Sequence, residues 1–504
     1  MIVTLYSQAE TERFAEDFAE FLKPGDVIAL SGDLGTGKST FSRALLRYLA
    51  GEPELEVPSP TFTLVQTYDL ERLFLAHMDL YRLEEPEELE ELGLEDTLER
   101  GTALVEWPEM GDARYWPEAL LVKIEEGPEP DSRIFTLTPQ SSDWDARLKR
   151  LQARRELLLG TTWMERPRDH LKGDASTRSY LRLNGEAGGA VLMDYPPRAG
   201  EATLPSGKTY AQSVHLAHSI DDFLAIAEEL RHRGLRVPEI YALDRPNGLA
   251  LMEDLGTQFI VQDGAPITDR YKRALDVLLH MHQQAWPETA RSGDATHALG
   301  RYDLASYMTE AELFMEFYRP HAEGKEASSK DRTLFKEAWQ KALAPLEALP
   351  KTWVMRDFHS PNLLWLDRAE GLDQIAQIDF QDALIGPIAY DVASLVMDAR
   401  LTIPRDLQEE LLAHYCEKAL KYLSDFDEGL FRYGVATLAA HRNTKILGGF
   451  VRLNTVFGKP AYLEHLPRIR EYLVQALSHP ELEELKTVYD VILPSNPLLH
   501  SASK

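Results

Sequence analysis

Cysteine is almost missing from this chain of 504 residues, which has one, Cys416. A lone thiol excludes an intramolecular disulfide and any multi-cysteine zinc site. Its setting in the apolar helical pattern Leu411, Leu412, Tyr415, Ala419 marks a packed core thiol rather than a nucleophile. Long hydrophobic runs are missing as well. No stretch reaches the ~20 apolar residues of a membrane helix, and Met1-Ile2-Val3-Thr4 lacks the basic-then-apolar order of a signal peptide. A cytoplasmic protein without a membrane partner is expected. Positive charge is scarce: 54 Lys and Arg stand against 82 Asp and Glu, a formal net charge of −28. Such a surface repels phosphate backbones, so no direct grip on nucleic acid is expected, and a role there would run through a partner.

What is present is the make-up of globular protein, 44% hydrophobic and 27% charged, in a chain long enough for two or more cores. Short apolar strands alternate with helical stretches over the first 140 residues, at 26–31, 62–68, 75–80, 103–106, 120–124 and 134–137. Alternation of this kind predicts an α/β domain with a largely parallel sheet. The acidic run at 84–99 reads as a solvated face. A polar stretch at 139–143 then leads into a charged helical segment, so residues 141–160 are expected to form a helical linker with a hinge at its start. From 161 to 504 the pattern is first strand-rich (180–183, 190–194, 249–252) and, after about residue 256, mostly helical, with short strands near 353–355, 363–366 and 375–378. A small strand-built lobe before a larger helical one predicts an α+β bilobal domain with a small-molecule cleft.

The sharpest motif in the first domain is Gly32-Asp33-Leu34-Gly35-Thr36-Gly37-Lys38-Ser39-Thr40, which fits G-x-x-x-x-G-K-[ST] between an apolar strand and a helical pattern. The glycines let backbone N–H groups curl around phosphate while the helix N-terminus adds positive potential. Lys38 is placed to reach the β- and γ-phosphates, and the Ser39 hydroxyl to hold Mg²⁺. Three further segments supply groups such a site needs. Asp79, in His77-Met78-Asp79-Leu80-Tyr81-Arg82, follows an apolar strand. Thr61 lies in the turn-like Ser59-Pro60-Thr61-Phe62-Thr63, and Glu106 ends a strand in Leu104-Val105-Glu106-Trp107-Pro108-Glu109, at the edge where α/β folds bind ligands.

The series GDLGTGKST, SPTFTLVQTY, HMDLYRL and LVEWPE resembles the small P-loop ATPase family of threonylcarbamoyladenosine (t6A) tRNA modification, over almost all of residues 1–140. That resemblance implies a Mg²⁺-dependent ATPase acting with the other subunits of the tRNA threonylcarbamoylation complex. It implies Ser39 and Glu106 as metal-side residues, Asp79 and Thr61 as their support, and Thr11 and Arg133 as further nucleotide contacts.

In the second domain, Arg356-Asp357-Phe358-His359-Ser360-Pro361-Asn362 is followed by Gln377-Ile378-Asp379-Phe380-Gln381-Asp382. This is the layout of a kinase catalytic loop and metal site. Asp357 would accept the proton of an attacking hydroxyl, while Asn362 and Asp379 would hold Mg²⁺ against the transferring phosphoryl group of ATP. His359 reads as a structural residue of the loop. The segment resembles the aminoglycoside phosphotransferase-like kinases, with Gly173-Asp174-Ala175-Ser176-Thr177-Arg178 as the phosphate-covering loop, hence Ser176, Thr177 and Arg178. In the same likeness Leu251-Met252-Glu253-Asp254-Leu255-Gly256 is the hinge, hence Glu253. Within that group GDASTRSYLR, LMDYPP, LMEDLG, RDFHSPNLLW and IDFQDALIGPIAYDVASLVMDAR resemble the anomeric kinases of N-acetylmuramate and N-acetylglucosamine in cell-wall recycling, across roughly residues 165–480. An amino sugar is the acceptor this implies.

One departure from the general kinase pattern stands out. The third strand normally carries a lysine for the α- and β-phosphates, and 190–194 here has Met193 near that place. Arg178 or Arg182 is the expected substitute. Glu312, Arg442 and Lys445 are candidate substrate contacts, while Asp391 and Arg400 read as braces of the catalytic loop. Two other readings of this half stay open: a kinase for another hydroxylated molecule such as an aminoglycoside, and a nucleotide- or sugar-binding regulator that transfers no phosphate.

Overall fold

The computed structural model describes residues 1–504 except 86–87, 172–177, 186–187, 197–202, 205–206 and 496–504. Its first sheet has seven strands: β1 (Ile2–Leu5), β2 (Val27–Ser31), β3 (Val65–Asp69), β4 (Phe74–Asp79), β5 (Gly101–Glu106), β6 (Leu120–Glu126) and β7 (Arg133–Pro139), in the order β1-β7-β6-β2-β5-β4-β3. Only the central strands are parallel, β6 with β2, β2 with β5 and β5 with β4. The outer pairs β1–β7, β6–β7 and β3–β4 are antiparallel. The sheet is therefore mixed rather than largely parallel. The inner strands Val27–Ser31 and Gly101–Glu106 are buried nearly end to end, as parallel strands covered on both faces must be. Helices α1 (Gln8–Ala19) and α2 (Lys38–Ala50) pack over this sheet through Phe14, Phe18, Phe41 and Leu45. The acidic run is partly structural: it forms helices Glu88–Glu91 and Leu94–Arg100, and Leu89 and Leu94 are buried.

The expected linker is a helix, α3 (Ser142–Leu158), built into two cores. Ser141 caps it by accepting from the Trp144 N–H. Trp144, Leu148 and Leu151 belong to the P-loop core, where the Trp144 ring stacks on Phe18 at 5.9 Å. Leu158, at the other end, packs with Leu181, Leu183, Ala190, Leu192 and Leu251. These last residues come from a second sheet, fully antiparallel, of β8 (Arg168–Leu171), β9 (Ser179–Leu183), β10 (Ala190–Asp194), β11 (Ile240–Asp244) and β12 (Leu249–Glu253), ordered β11-β12-β10-β9-β8.

Buried charge ties the two sheets as firmly as the apolar contacts do. Asp17 of α1 meets Arg155 of α3 at 2.9 Å and Arg168 of β8 at 2.8 Å. Glu20, at the end of α1, meets His170 of β8 at 3.0 Å and Arg72 at 2.6 Å, and accepts from the Tyr48 hydroxyl. Asp194 of β10 is held by Arg154 at 2.5 Å and by Arg150. Accordingly the chain's two compact units do not part at 140–161. One contains the P-loop domain, α3 and the strands β8–β12, and the other contains the rest of the described chain.

The second unit is mainly helical. Its elements include Ile220–His232, α4 (Leu304–Leu313), the π-helical turn Phe314–Tyr318, Ala389–Val396 and the 30-residue α5 (Glu428–Phe457). Two small hairpins frame the Asp357 loop: Lys351–Val354 pairs with Leu384–Pro387, and Leu363–Trp365 with Ile375–Gln377. Gly448 of α5 lies against the backbone of α4, where a Cβ would fall 2.3 Å from the Leu313 carbonyl. That close approach brings α5 onto α4. Among the described residues, no helix is long and apolar enough to cross a membrane.

Candidate functional sites

The P-loop runs from the end of β2 into α2 as the sequence predicts. Gly32 has φ 143° and a Cβ there would lie 2.3 Å from the Ile124 carbonyl oxygen, so the turn admits glycine alone. Lys38 is buried, donates to the carbonyl oxygens of Gly32 at 2.6 Å and Asp33 at 3.0 Å, and lies 3.8 Å from the centre of the Trp107 ring. Burial lowers its pKa, against the pull of Glu106, Glu109, Asp79 and Asp33. Leu34, at the loop tip, is exposed.

The carboxylates converge because β4 and β5 are parallel and in register: Asp79 stands opposite Glu106 at their C-terminal ends. Glu106 accepts from Ser39 at 3.2 Å and from Ser42 at 3.0 Å, and its Oε1 lies 2.9 Å from His77 Nε2. Asp79 accepts from Thr61 at 2.7 Å, Ser59 at 2.9 Å and the Tyr81 N–H. Thr61 is thus directed at Asp79. A few hard oxygen donors suit Mg²⁺, which keeps several waters and takes the remaining ligands from phosphate. Ser39, Asp79 and Glu106 fit that ion.

Beside the loop is a cavity of about 380 Å³ whose lining includes Thr11, Gly35, Thr36, Gly37, Thr40 and Arg133. Arg133 also donates to the Thr36 carbonyl at 3.0 Å. Tyr6, Ser7 and Phe135 line the same space and were not singled out from sequence. They come from the turn after β1 and from β7, and the four-residue β1 left little pattern to find. The available signal was Ser7 three residues before Glu10, a helix-start signature: Ser7 Oγ does accept from the Glu10 N–H.

In the second unit the loop after Lys351–Val354 carries Arg356 and Asp357. Asp357 is about half exposed. The Asn362 side-chain amide donates to its carbonyl at 2.9 Å, and the Ile378 N–H donates to the Asn362 carbonyl at 3.0 Å. The hairpin pairing Leu363 with Gln377 therefore brings Asn362 beside Asp379, and the two stand with Asp357 as the spacing predicts. Asp379 adopts φ 59° and accepts from Gln381. Burial would raise the Asp357 carboxyl, but Lys445, His359 and Arg442 outweigh it and hold the pKa at about 2. An ionised, half-exposed carboxylate can take a hydroxyl proton in a transition state.

The loop is braced from below. Asp391 accepts from the backbone N–H groups of Met355 at 2.7 Å and Arg356 at 3.0 Å, the bracing role expected of it. Asp398 accepts from the N–H of Ser360 and of Arg400, so Arg400 contributes through its backbone. His359 Nδ1 is 3.5 Å from Asp398, a structural position. Asp398 was not flagged by its sequence context, which reads as a helix end.

Ser176 and Thr177 lie outside the described residues. Arg178 is buried at the start of β9. Glu253 ends β12 opposite Ala190. Arg182 pairs with Asp254 at 2.8 Å. Met193 is buried in β10 as read. Glu312 is a correction: it is partly exposed and paired with Arg332. The carboxylate that reaches the loop is Glu310, two residues earlier on the opposite side of α4, completely buried and bonded to Arg356. Arg442 and Lys445 do converge there, Arg442 at 3.5 Å from Asp357 and Lys445 at 2.8 Å from Glu310.

The fold and these two sites define the class: a P-loop nucleotide-binding domain joined to a kinase-like phosphotransferase. The comparisons are more particular. Residues 170–429 match the Phosphotransferase enzyme family, and residues 5–134 match Threonylcarbamoyl adenosine biosynthesis protein TsaE. The N-acetylmuramate/N-acetylglucosamine kinase of Caulobacter vibrioides is 32% identical over 339 residues, 65% of this chain and 92% of that protein. That of Pseudomonas aeruginosa is 29% identical over 340 residues, 66% of this chain and 90% of its own length. The tRNA threonylcarbamoyladenosine biosynthesis protein TsaE of Rickettsia bellii is 47% identical over 106 residues, 21% of this chain and 73% of that protein. The chain belongs to the phosphotransferase enzyme family and, at its N-terminus, to the TsaE family; it is a fusion of two ATP-using modules.

Proposed function

We propose that the two modules are both catalytic: a Mg²⁺-dependent ATPase serving tRNA threonylcarbamoyladenosine modification, and a kinase that phosphorylates the anomeric hydroxyl of N-acetylmuramate or N-acetylglucosamine. The observation that carries the kinase half is the gathering of Asp357, Asn362 and Asp379 by one hairpin. A sugar-binding regulator needs no proton acceptor beside two metal-side groups.

In this reading Asp357 accepts the proton of the anomeric O–H as that oxygen bonds to the γ-phosphorus of ATP. The bond from the γ-phosphorus to the β,γ-bridging oxygen breaks, and ADP leaves. Asn362 and Asp379 hold Mg²⁺, which when bound neutralises charge on the phosphates. Arg442 and Lys445 orient the acceptor. In the first domain the backbone of Gly32–Thr40 and Lys38 hold the phosphates, Thr11 and Arg133 flank the nucleotide, and Ser39, Asp79 and Glu106 serve the metal with Thr61 behind them. Its partners are the other subunits of the threonylcarbamoylation complex, in keeping with the acidic surface.

The test is sugar-dependent ADP release by the full chain with Mg-ATP, run with both amino sugars and an aminoglycoside, the product identified as the sugar 1-phosphate. Release with the aminoglycoside alone would move the acceptor. Sugar binding without release would leave the regulator, the reading that Met193 in the place of the strand lysine favours.

A further inference from the structure

The second unit buries one carboxylate that phosphoryl transfer itself does not call for. Glu310 is fully buried; it accepts from Arg356 and from the Tyr302 hydroxyl, and lies 2.8 Å from Lys445 Nζ. Burial would raise its carboxyl, yet Lys445 and Arg356 hold it at about 2. Arg356 has φ 68°, a backbone that an arginine keeps only where its surroundings over-determine it. Its bonds to Glu310 and to the Val214 carbonyl supply that constraint.

Lys445 is fixed from beneath while its side chain keeps 23% of its exposure. Arg442, three residues earlier on α5 and so on the same face, places NH2 3.5 Å from Asp357. Its other terminal nitrogen, NH1, is buried with no hydrogen-bond partner among the described residues. Buried guanidinium nitrogens are ordinarily satisfied, so this one points to a ligand acceptor. Three cations, Arg356, Arg442 and Lys445, thus face two carboxylates held ionised, Glu310 and Asp357. Of the other carboxylates nearby, Asp391 is occupied by two backbone N–H groups, Asp382 accepts from the Ala217 N–H and from Gln381, and Asp379 accepts from Gln381. In a chain of net charge −28 this arrangement gathers three cations beside Asp357.

We infer that Lys445 and Arg442 form a subsite for a carboxylate carried by the acceptor, and that Glu310 is the positioning residue that holds Lys445 there. The inference rests on the kinase reading and sharpens its substrate class. N-acetylmuramate carries a carboxylate on its lactyl ether and N-acetylglucosamine carries none, so the subsite discriminates between the two sugars.

The experiment is steady-state kinetics of the full chain with each sugar, for wild type, Lys445→Met, Lys445→Arg and Glu310→Gln. The ratio of kcat/KM for the acidic over the neutral sugar should fall about tenfold or more in Lys445→Met, the scale of one charge-assisted contact. The loss should lie mainly in KM for N-acetylmuramate, with partial recovery in Lys445→Arg. Glu310→Gln should shift the ratio in the same direction by less. If Glu310→Gln does not fold, the two Lys445 variants still decide. An equal loss of kcat with both sugars would place Lys445 on the transferring phosphoryl group and overturn the subsite alone, as would an unchanged ratio. A wild-type chain that phosphorylates neither sugar overturns the kinase reading, and this inference with it.

Discussion

The two nucleotide-chemistry sites of this chain are built in opposite ways. In the P-loop domain, nine consecutive residues supply the loop, and the partner carboxylates Asp79 and Glu106 come from the ends of neighbouring strands set by sheet register. Around Asp357 the backbone supplies little. Side chains arrive from the loop, from α4 and from α5, more than 80 residues further along the chain, and their charges are matched by burial. Backbone cradles must be contiguous because successive N–H groups line one concavity. Side-chain sites need only tertiary proximity, so their residues can be scattered.

The largest effect that would test this contrast is at Asp357. Asp357→Asn should lower sugar-dependent ADP release by about 10²–10⁴-fold, the range for a lost general base, and leave P-loop ATP turnover in place. Parallel loss of both activities would show the sites to be one. Lys38→Ala should do the converse, removing ATP turnover measured with the partner subunits by ~10²-fold or more while the sugar kinase persists.

The buried charges joining the two sheets come next. Asp17→Ala leaves Arg155 and Arg168 facing each other without their carboxylate and should cost about 3 kcal/mol, read from urea unfolding as a lower midpoint. Because β8 lies in the same unit as the P-loop, that loss should appear in the transition of the P-loop domain and β8–β12 together. Independent melting of residues 1–140 would break the comparison. Gly448→Ala should cost about 2 kcal/mol by overpacking against Leu313, seen as a lower Tm, with kinase kinetics disturbed before ATPase kinetics.

The smallest effect is one of pH. Burial would raise the Glu20 carboxyl, but His170, Arg72 and Tyr48 hold it at about 2 against an ordinary 4.5. A depressed folded-state pKa gives stability that is full above about 4.5 and is lost as pH falls through about 2. The difference in unfolding free energy between wild type and Glu20→Gln should therefore be greatest near neutral pH and shrink from pH 5 downward. A difference that grew with acidification would assign the sign wrongly.

These cases also separate what was legible in the chain from what was not. The P-loop, the strand-end carboxylates and the Asp357–Asn362–Asp379 spacing were readable because each is fixed by local backbone geometry. β1 and the cavity residue Tyr6 just after it were missed because a four-residue edge strand leaves no periodic signal, whereas Phe135 lies on a strand that was read, and only the packing shows that it lines the cavity. Glu312 was named and Glu310 was not, because both lie on one helix and only the packing of α5 onto α4 at Gly448 says which side faces the loop. The helix Ser142–Leu158 misled most. It was read as a charged helical linker and is a helix, but its arginines are spent on Asp26, Asp194 and Asp17.

By itself, then, the sequence determined that there are two ATP-using modules, of which families, and where the contiguous P-loop and the Asp357–Asn362–Asp379 series lie. Motifs of this kind are local, and local geometry is written in residue order. The tertiary structure alone decided that the strands β8–β12 share a unit with the P-loop domain, and that Glu310, Arg442 and Lys445 meet beside Asp357. Those outcomes depend on which buried charges find partners across the chain, and partner choice between distant residues leaves no mark on the residues next to them.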